Sequence, residues 1–274
     1  MVKIIPIPIK KQRCRGLGYK MIPEPYANIF LCASKNSGKT TLIYNILMHC
    51  ASKKTKVIFF VPTFYKDESY YKGIVKLLKK KKMDYDVYLD LYEDSKTNIL
   101  DSMIKELQEL QDEDQPTIQQ LDKPIDVDIK YVNLSTLMFG SPPEEKKELI
   151  LPKKKTKTKY LTPEYIFIFD DISNQLRDKS VETLLKKNRH FKCKTIISSQ
   201  YIMDMRPGAI NQLDYLILFK NIPRNKLEQT HEKLALDHII PFDDFEKLYH
   251  SATEKKYNFL VIDKKHDAFR HNFS

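Results

Sequence analysis

The sequence predicts an α/β fold with a mostly parallel central sheet and helices on both faces, and three observations carry that reading. Continuous apolar runs of strand length, among them Val57-Ile-Phe-Phe-Val61 and Ile166-Phe-Ile-Phe169, read as strands buried on both sides. Such runs alternate with stretches of helical period, the pattern of repeated βαβ units. The first run, Ala27 to Cys32, ends in a small-residue loop closed by Gly38, Lys39 and Thr40, which opens directly into the helical stretch Thr41 to Met48.

That loop is the stretch that organises the chain. Polyphosphate binds where several backbone N–H groups converge at a helix N-terminus, with a lysine on the β/γ-phosphates and a hydroxyl on Mg²⁺. The residues available for this are Ser34, Lys35, Asn36, Ser37, Gly38, Lys39, Thr40 and Thr41, with Lys39 as the charge and Thr40 as the metal-binding hydroxyl. ATP and Mg²⁺ are therefore the expected ligands. The pattern G-x-x-x-x-G-K-[ST] has Ala33 in place of its first glycine. Either the turn is reshaped there, or that position needs no left-handed backbone.

The remaining elements follow in order. Met1 to Pro25 holds four prolines and no helical period, so residues 1–25 read as an extended arm able to pack on a neighbouring subunit. After the strand Val57–Val61, a helix is expected over Tyr70–Lys82, its terminal lysines suiting the C-terminal dipole. A further strand is expected over Tyr85–Leu91 and an amphipathic helix over Ile99–Leu110. Residues 111–163 lose the pattern and read as an insertion or long connection within a single domain spanning 26–274. Regularity returns with the strand Ile166–Phe169, a helix near Val181–Lys187, strands at Thr195–Ser199 and Tyr215–Phe219, and helices over Leu227–Leu236 and Phe242–Tyr249. Tyr257 to Ile262 is expected to close the sheet at one edge.

Composition narrows the function classes. No apolar run is long enough to span a bilayer, and the N-terminus, broken by Pro6 and Pro8, does not make a secretory signal. The four cysteines form no C-x-x-C pair and have no zinc spacing, so free thiols in a reducing compartment are expected. A net charge of +11, with lysine runs at Lys79–Lys82 and Lys153–Lys159, suits a polyanionic partner. Each run taken alone reads equally well as a solvated surface.

A phosphate loop hydrolyses nothing by itself; it needs a carboxylate for the metal and a group that orients water. Ile166–Phe169 delivers Asp170 and Asp171 to the carboxyl end of a buried strand. Asp170 suits the Mg²⁺ shell and Asp171 suits water activation. Two adjacent acids there are costly unless a cation or a reaction uses them, although Asp171 alone would also serve as a helix cap. At the end of the next strand, the amide of Gln200 is placed to sense the γ-phosphate or hold the attacking water.

In this order, the phosphate loop Ser37-Gly-Lys-Thr40, the acids of Ile166-Phe-Ile-Phe-Asp-Asp171, Asn188-Arg-His190, Ser199-Gln200, and Pro207 followed by Ile210-Asn211 resemble the FtsK–HerA group of P-loop ATPases. Within that group the chain is most similar to the genome-packaging ATPases of poxviruses, other large DNA viruses and virophages. The resemblance covers Asn28 to about Phe219. It implies a RecA-like P-loop NTPase fold with one strand between the loop strand and the acidic strand. It also implies a ring-forming motor, pentameric or hexameric, that couples ATP hydrolysis to translocation of double-stranded DNA into a capsid, without sequence preference. Portal or vertex proteins of the capsid are implied partners, and the host cytoplasm or virus factory, with virion association, is the implied location.

Where relatives often carry an arginine after the proline, this chain has Asn211. Arg206, Arg189 and Arg224 then remain as candidates for an arginine finger donated to the neighbouring subunit, with Arg206 favoured because its loop follows the Gln200 strand. Other readings are a chromosomal or plasmid translocase of the same group, a P-loop kinase, and a nucleotide-binding assembly subunit without turnover. A kinase would need an arginine-rich lid, and arginines are sparse between Pro163 and Phe219.

Overall fold

Apolar residues at every position of a strand can be buried only in the middle of a sheet covered on both faces, and the computed structural model places them there. It describes residues 15–66, 68–94, 96–113 and 160–273. Eight strands form one sheet: β1 (Asn28–Cys32), β2 (Lys56–Phe60), β3 (Tyr85–Tyr88), β4 (Tyr165–Asp170), β5 (Cys193–Ser199), β6 (Tyr215–Phe219), β7 (Phe259–Asp263) and β8 (Ala268–His271). Their order is β3-β2-β4-β5-β1-β6-β7-β8, parallel from β3 to β6 and antiparallel from β6 to β8. The strand β5 separates β1 from the acidic strand β4, as the resemblance implies for a RecA-like sheet.

Alternation along β1 divides the core. Ile29 and Leu31 face α1 (Lys39–Cys50) and α2 (Glu68–Lys81) on one side. Phe30 and Cys32 face the other side, which is covered by α3 (Ile99–Glu113), α4 (Lys179–Lys187), α5 (Pro207–Ile210), α6 (Arg224–Lys233) and α7 (Phe242–Ala252). Helices thus lie on both faces of the sheet, as expected.

Several boundaries differ from those read in the sequence. The sheet does not end at the strand after Tyr257, because β8 pairs outside β7 and forms the edge. This short segment has no apolar run to announce it, and edge strands need none. The helix after Pro223 begins at Arg224 and gives way to a 3₁₀ turn over Leu236–His238. Of the expected arm, residues 15–25 lie against their own domain: Gly16 bridges Leu161, and Ile22 is wholly buried. The first 14 residues, the lysine run Lys153–Lys159 and nearly all of the 111–163 connection fall outside the described residues.

The lysines that end α2 serve more than their own helix. Lys81 Nζ donates to the carbonyl oxygens of Leu47, Met48 and Ala51 at 3.2, 2.5 and 2.9 Å, closing the C-terminus of α1. The helix that begins at the phosphate loop is thereby fixed at its far end.

Candidate active site

The loop between β1 and α1 takes its shape from two left-handed residues, Asn36 at φ 60° and Gly38 at φ 100°. Ala33 is not one of them. Its N–H donates to the Ser199 carbonyl oxygen at 3.0 Å, continuing the β1–β5 pairing one residue past the strand. A glycine is therefore unnecessary at position 33, which decides between the two possibilities left by the sequence. Gly38 stands immediately before α1, and no side chain caps that helix, so its first N–H groups open toward the loop.

Opposite the loop, β4 ends in the two acids. Successive side chains on a strand point to opposite faces, so an extended Asp170–Asp171 pair could not address one cation. The backbone resolves this by turning left-handed at Asp171, φ 60°. Lys39 Nζ consequently lies 2.8 Å from Asp170 Oδ1 and 2.8 Å from Asp171 Oδ1. Asp170 is 1% exposed, whereas the Asp171 side chain is 49% exposed and faces the cleft. Burial works against the charge on Lys39, but Asp170 and then Asp171 outweigh it and raise its pKa. The other oxygen of Asp170 accepts the Tyr71 hydroxyl at 2.6 Å.

Between loop and acids lies a cleft of about 310 Å³, lined by Ala33, Lys35, Lys39, Asp171, Ser198 and Gln200 among others. Gln200 is exposed there, and its carbonyl oxygen accepts the Cys32 thiol at 3.0 Å. Burial, with Asp204 nearby, pushes that thiol up to about 12, so it remains a donor. Asp204, which lines the cleft together with Asp171, accepts the Ser199 hydroxyl. No motif announces it. A larger hollow of about 540 Å³ adjoins Leu17–Met21, His49 and Phe273, by the C-terminal turn of α1, and has no carboxylate in its lining.

The site fits a nucleotide and a hard cation. Ser37 Oγ and Ser198 Oγ are buried with no hydrogen-bond partner among the described residues, and buried hydroxyls of this kind call for one. Mg²⁺ is held by one or two carboxylates together with phosphate oxygens and waters. Asp170 and half-buried Thr40 supply a set of that kind. Among the described residues no cluster of three or more His, Cys, Asp or Glu side chains could hold a metal by itself.

None of the three arginine candidates lines this cleft. Arg206 is 45% exposed and lies 3.9 Å from Glu182 on α4. Arg189 lies 3.9 Å from Asp214. Arg224 is engaged more closely, 2.7 Å from Glu246 and 3.4 Å from Asp243.

No protein-family model matches the chain. Uncharacterized protein 015R of Frog virus 3 (isolate Goorha) is 28% identical over 96 residues, which is 34% of this chain and 28% of that protein's length. In shape, the chain is similar to the DNA-packaging ATPase B204 of Sulfolobus turreted icosahedral virus, with 17% identity and a TM-score of 0.49 over 90% of this chain and 96% of that one. The genome-packaging NTPase B204 of Sulfolobus turreted icosahedral virus 2, in complex with ATP-γS, gives 18% identity and a TM-score of 0.47 over 90% and 96%. ATPases 2 and 3 of EssC from Geobacillus thermodenitrificans give 14% and 0.38 over 70% and 32%. At these identities and TM-scores the fold rests on the strand order and the loop of this chain itself. Both agree with the resemblance to FtsK–HerA-type P-loop ATPases carried by the motifs. No helix of the described residues is long and apolar enough to cross a membrane.

Proposed function

We propose that this protein is an ATPase that assembles into a ring and couples hydrolysis to moving double-stranded DNA, in the manner of a viral genome-packaging motor. The observation that carries the reading is Lys39 held 2.8 Å from each of two aspartates at the carboxyl edge of the parallel strands, at the start of a helix that no side chain caps. Lys39 binds the β/γ-phosphates, trading its carboxylate partners for phosphate oxygens. Thr40 and Asp170 are the residues that would hold Mg²⁺, which would supply neutralisation of phosphate charge. Asp171, released toward the cleft, accepts a proton from the attacking water, and the Gln200 amide orients that water. Ser198 gives its hydroxyl to the terminal phosphate.

The charge that stabilises the transition state comes from the next subunit, with Arg206 as the favoured donor. Such a finger contributes on the order of a thousandfold or more. DNA is gripped through its phosphates, which the net charge of +11 supports.

The test is ATP turnover by the assembled protein with and without double-stranded DNA. Stimulation by DNA supports the motor; transfer of the γ-phosphate to an added small-molecule acceptor would replace it with a kinase, and nucleotide binding without phosphate release would replace it with an assembly subunit. Subunit sharing is tested by mixing Arg206→Ala with Lys39→Ala protein, which should restore part of the activity where intact loop and intact arginine meet. Mixed rings without rescue would pass the finger role to Arg189 or Arg224.

A further inference from the structure

Tyr257, in the turn between α7 and β7, is 57% exposed, yet its position is tightly set. Its backbone is left-handed at φ 71°, a conformation that bulky residues rarely adopt and that clusters at ligand clamps. The ring lies against the phosphate loop: a Cβ at Gly38 would stand 3.1 Å from Tyr257 Cδ1. A side chain at 38 would be strained by the left-handed backbone, φ 100°, and would push the ring back by a few tenths of an ångström.

The sheet order says which end of a nucleotide the ring would meet. Lys39, at the start of the helix that follows β1, reaches past β5 to Asp170 and Asp171 at the end of β4, so the terminal phosphate belongs on that side of the loop. Tyr257 approaches Gly38 from the opposite side, beyond β6. Since β7 runs antiparallel and Phe259 pairs with Phe219, the turn carrying Tyr257 sits at the same edge of the sheet as the phosphate loop. A nucleotide whose phosphates lie along the loop, with the terminal one at Lys39, therefore carries its base toward Tyr257.

We propose that Tyr257 is the stacking platform for the base of the nucleotide, placed on the flank of the phosphate loop opposite the Asp170–Asp171 pair. The inference rests on the ATPase reading. Lys256 Nζ stands 4.9 Å over the Tyr257 ring and makes no ion pair among the described residues, so a base can take its place on that face without breaking a salt bridge. Stacking on an aromatic ring is tolerant of base identity. The platform thus adds affinity for nucleoside triphosphates as a class, and discrimination among bases is left to other contacts.

Calorimetric titration of the whole protein with ATP and with inorganic tripolyphosphate tests the proposal, using Tyr257→Ala, Tyr257→Phe and Lys39→Ala. Loss of a stacked base weakens ATP binding roughly ten- to hundredfold. Tyr257→Ala should show that weakening for ATP and none for tripolyphosphate, while Tyr257→Phe stays close to the wild type. Equal weakening of both ligands would overturn the proposal and make Tyr257 a prop for the loop. Unchanged ATP binding, alone or with an altered oligomeric state, would also overturn it, assigning the exposed ring to a subunit contact in the latter case. The ATPase reading is judged separately: it stands if the wild type binds both ligands and Lys39→Ala loses both, and it falls if the wild type binds neither.

Discussion

Tyr71 donates its hydroxyl to Asp170 Oδ2 at 2.6 Å, joining α2 to the acidic strand across 99 residues of sequence. With Lys39 on Oδ1, both oxygens of a carboxylate that is 1% exposed are occupied, so its orientation is fixed before any ligand arrives. Tyr71→Phe removes one of these two anchors while keeping the ring stacked on Phe64, 4.7 Å between centroids. The expected result is a weakened Mg²⁺ dependence of ATP hydrolysis, by about tenfold in the concentration required, with ATP affinity in saturating Mg²⁺ close to the wild type. An unchanged Mg²⁺ titration would show that Tyr71 serves only the fold.

Lys39→Ala should abolish hydrolysis and also lower stability. It strips buried Asp170 of its cation and leaves the Tyr71 hydroxyl on its other oxygen, an imbalance costing about 2 kcal/mol. Adding Asp170→Asn should recover part of the stability without any activity, because a neutral amide needs no cation. Urea unfolding of the two single variants and the double variant measures the coupling. Additive losses would contradict the ion pair as drawn.

The sequence was most legible where burial demands uniform apolar runs. The strands β1, β2, β4 and β6 were readable for that reason, and so was the parallel sheet they build. The phosphate loop and both acids were readable because their chemistry restricts residue types at fixed spacing. Other parts of the site depend on contacts that spacing does not encode. Tyr71 and Tyr257 reach the loop and acids from distant elements, and the left-handed turn at Asp171 shows itself only in the backbone. Ala33 looks like a departure from the pattern until the left-handed positions prove to be Asn36 and Gly38. The edge strand β8 escapes a reading of the sequence because it is short and only half covered.

Lys72, Lys76, Lys79 and Lys80 are exposed along α2 and make no ion pair among the described residues. Spaced by about one and two helical turns, they share one face. If this face meets DNA, replacing all four with glutamine should lower the slope of log affinity against log salt by about 0.9 for each phosphate that the variant no longer neutralises. The same measurement with Lys153, Lys154, Lys155, Lys157 and Lys159 replaced compares the two runs. Whichever replacement leaves the slope unchanged identifies a solvated surface.

Lys194 lies on β5, wholly buried, and donates to the Glu24 carbonyl oxygen at 2.8 Å. Burial pushes its ammonium down to about 8. In the unfolded chain it titrates near 10.4, at about the ordinary lysine value. Between these values the unfolded chain holds a proton that the folded protein has released, so this residue's contribution to stability rises with pH across the window from about 8 to about 10.5. Lys194→Met should therefore be more stable than the wild type below pH 8, by about 1 kcal/mol or more. Its advantage should shrink as pH rises through that window. Urea midpoints for both proteins across the range provide the check, and a gap independent of pH would contradict the shift.

In the proposed mechanism hydrolysis runs at Lys39, Asp170 and Asp171, with Asp171 taking the proton from water. The most direct measurement is single-turnover ATP hydrolysis by Asp171→Asn, alongside its equilibrium binding of ATP with Mg²⁺. Binding close to the wild type and a rate of hydrolysis lowered by about a hundredfold or more are expected if Asp171 is the base. Hydrolysis at the wild-type rate in Asp171→Asn would contradict it.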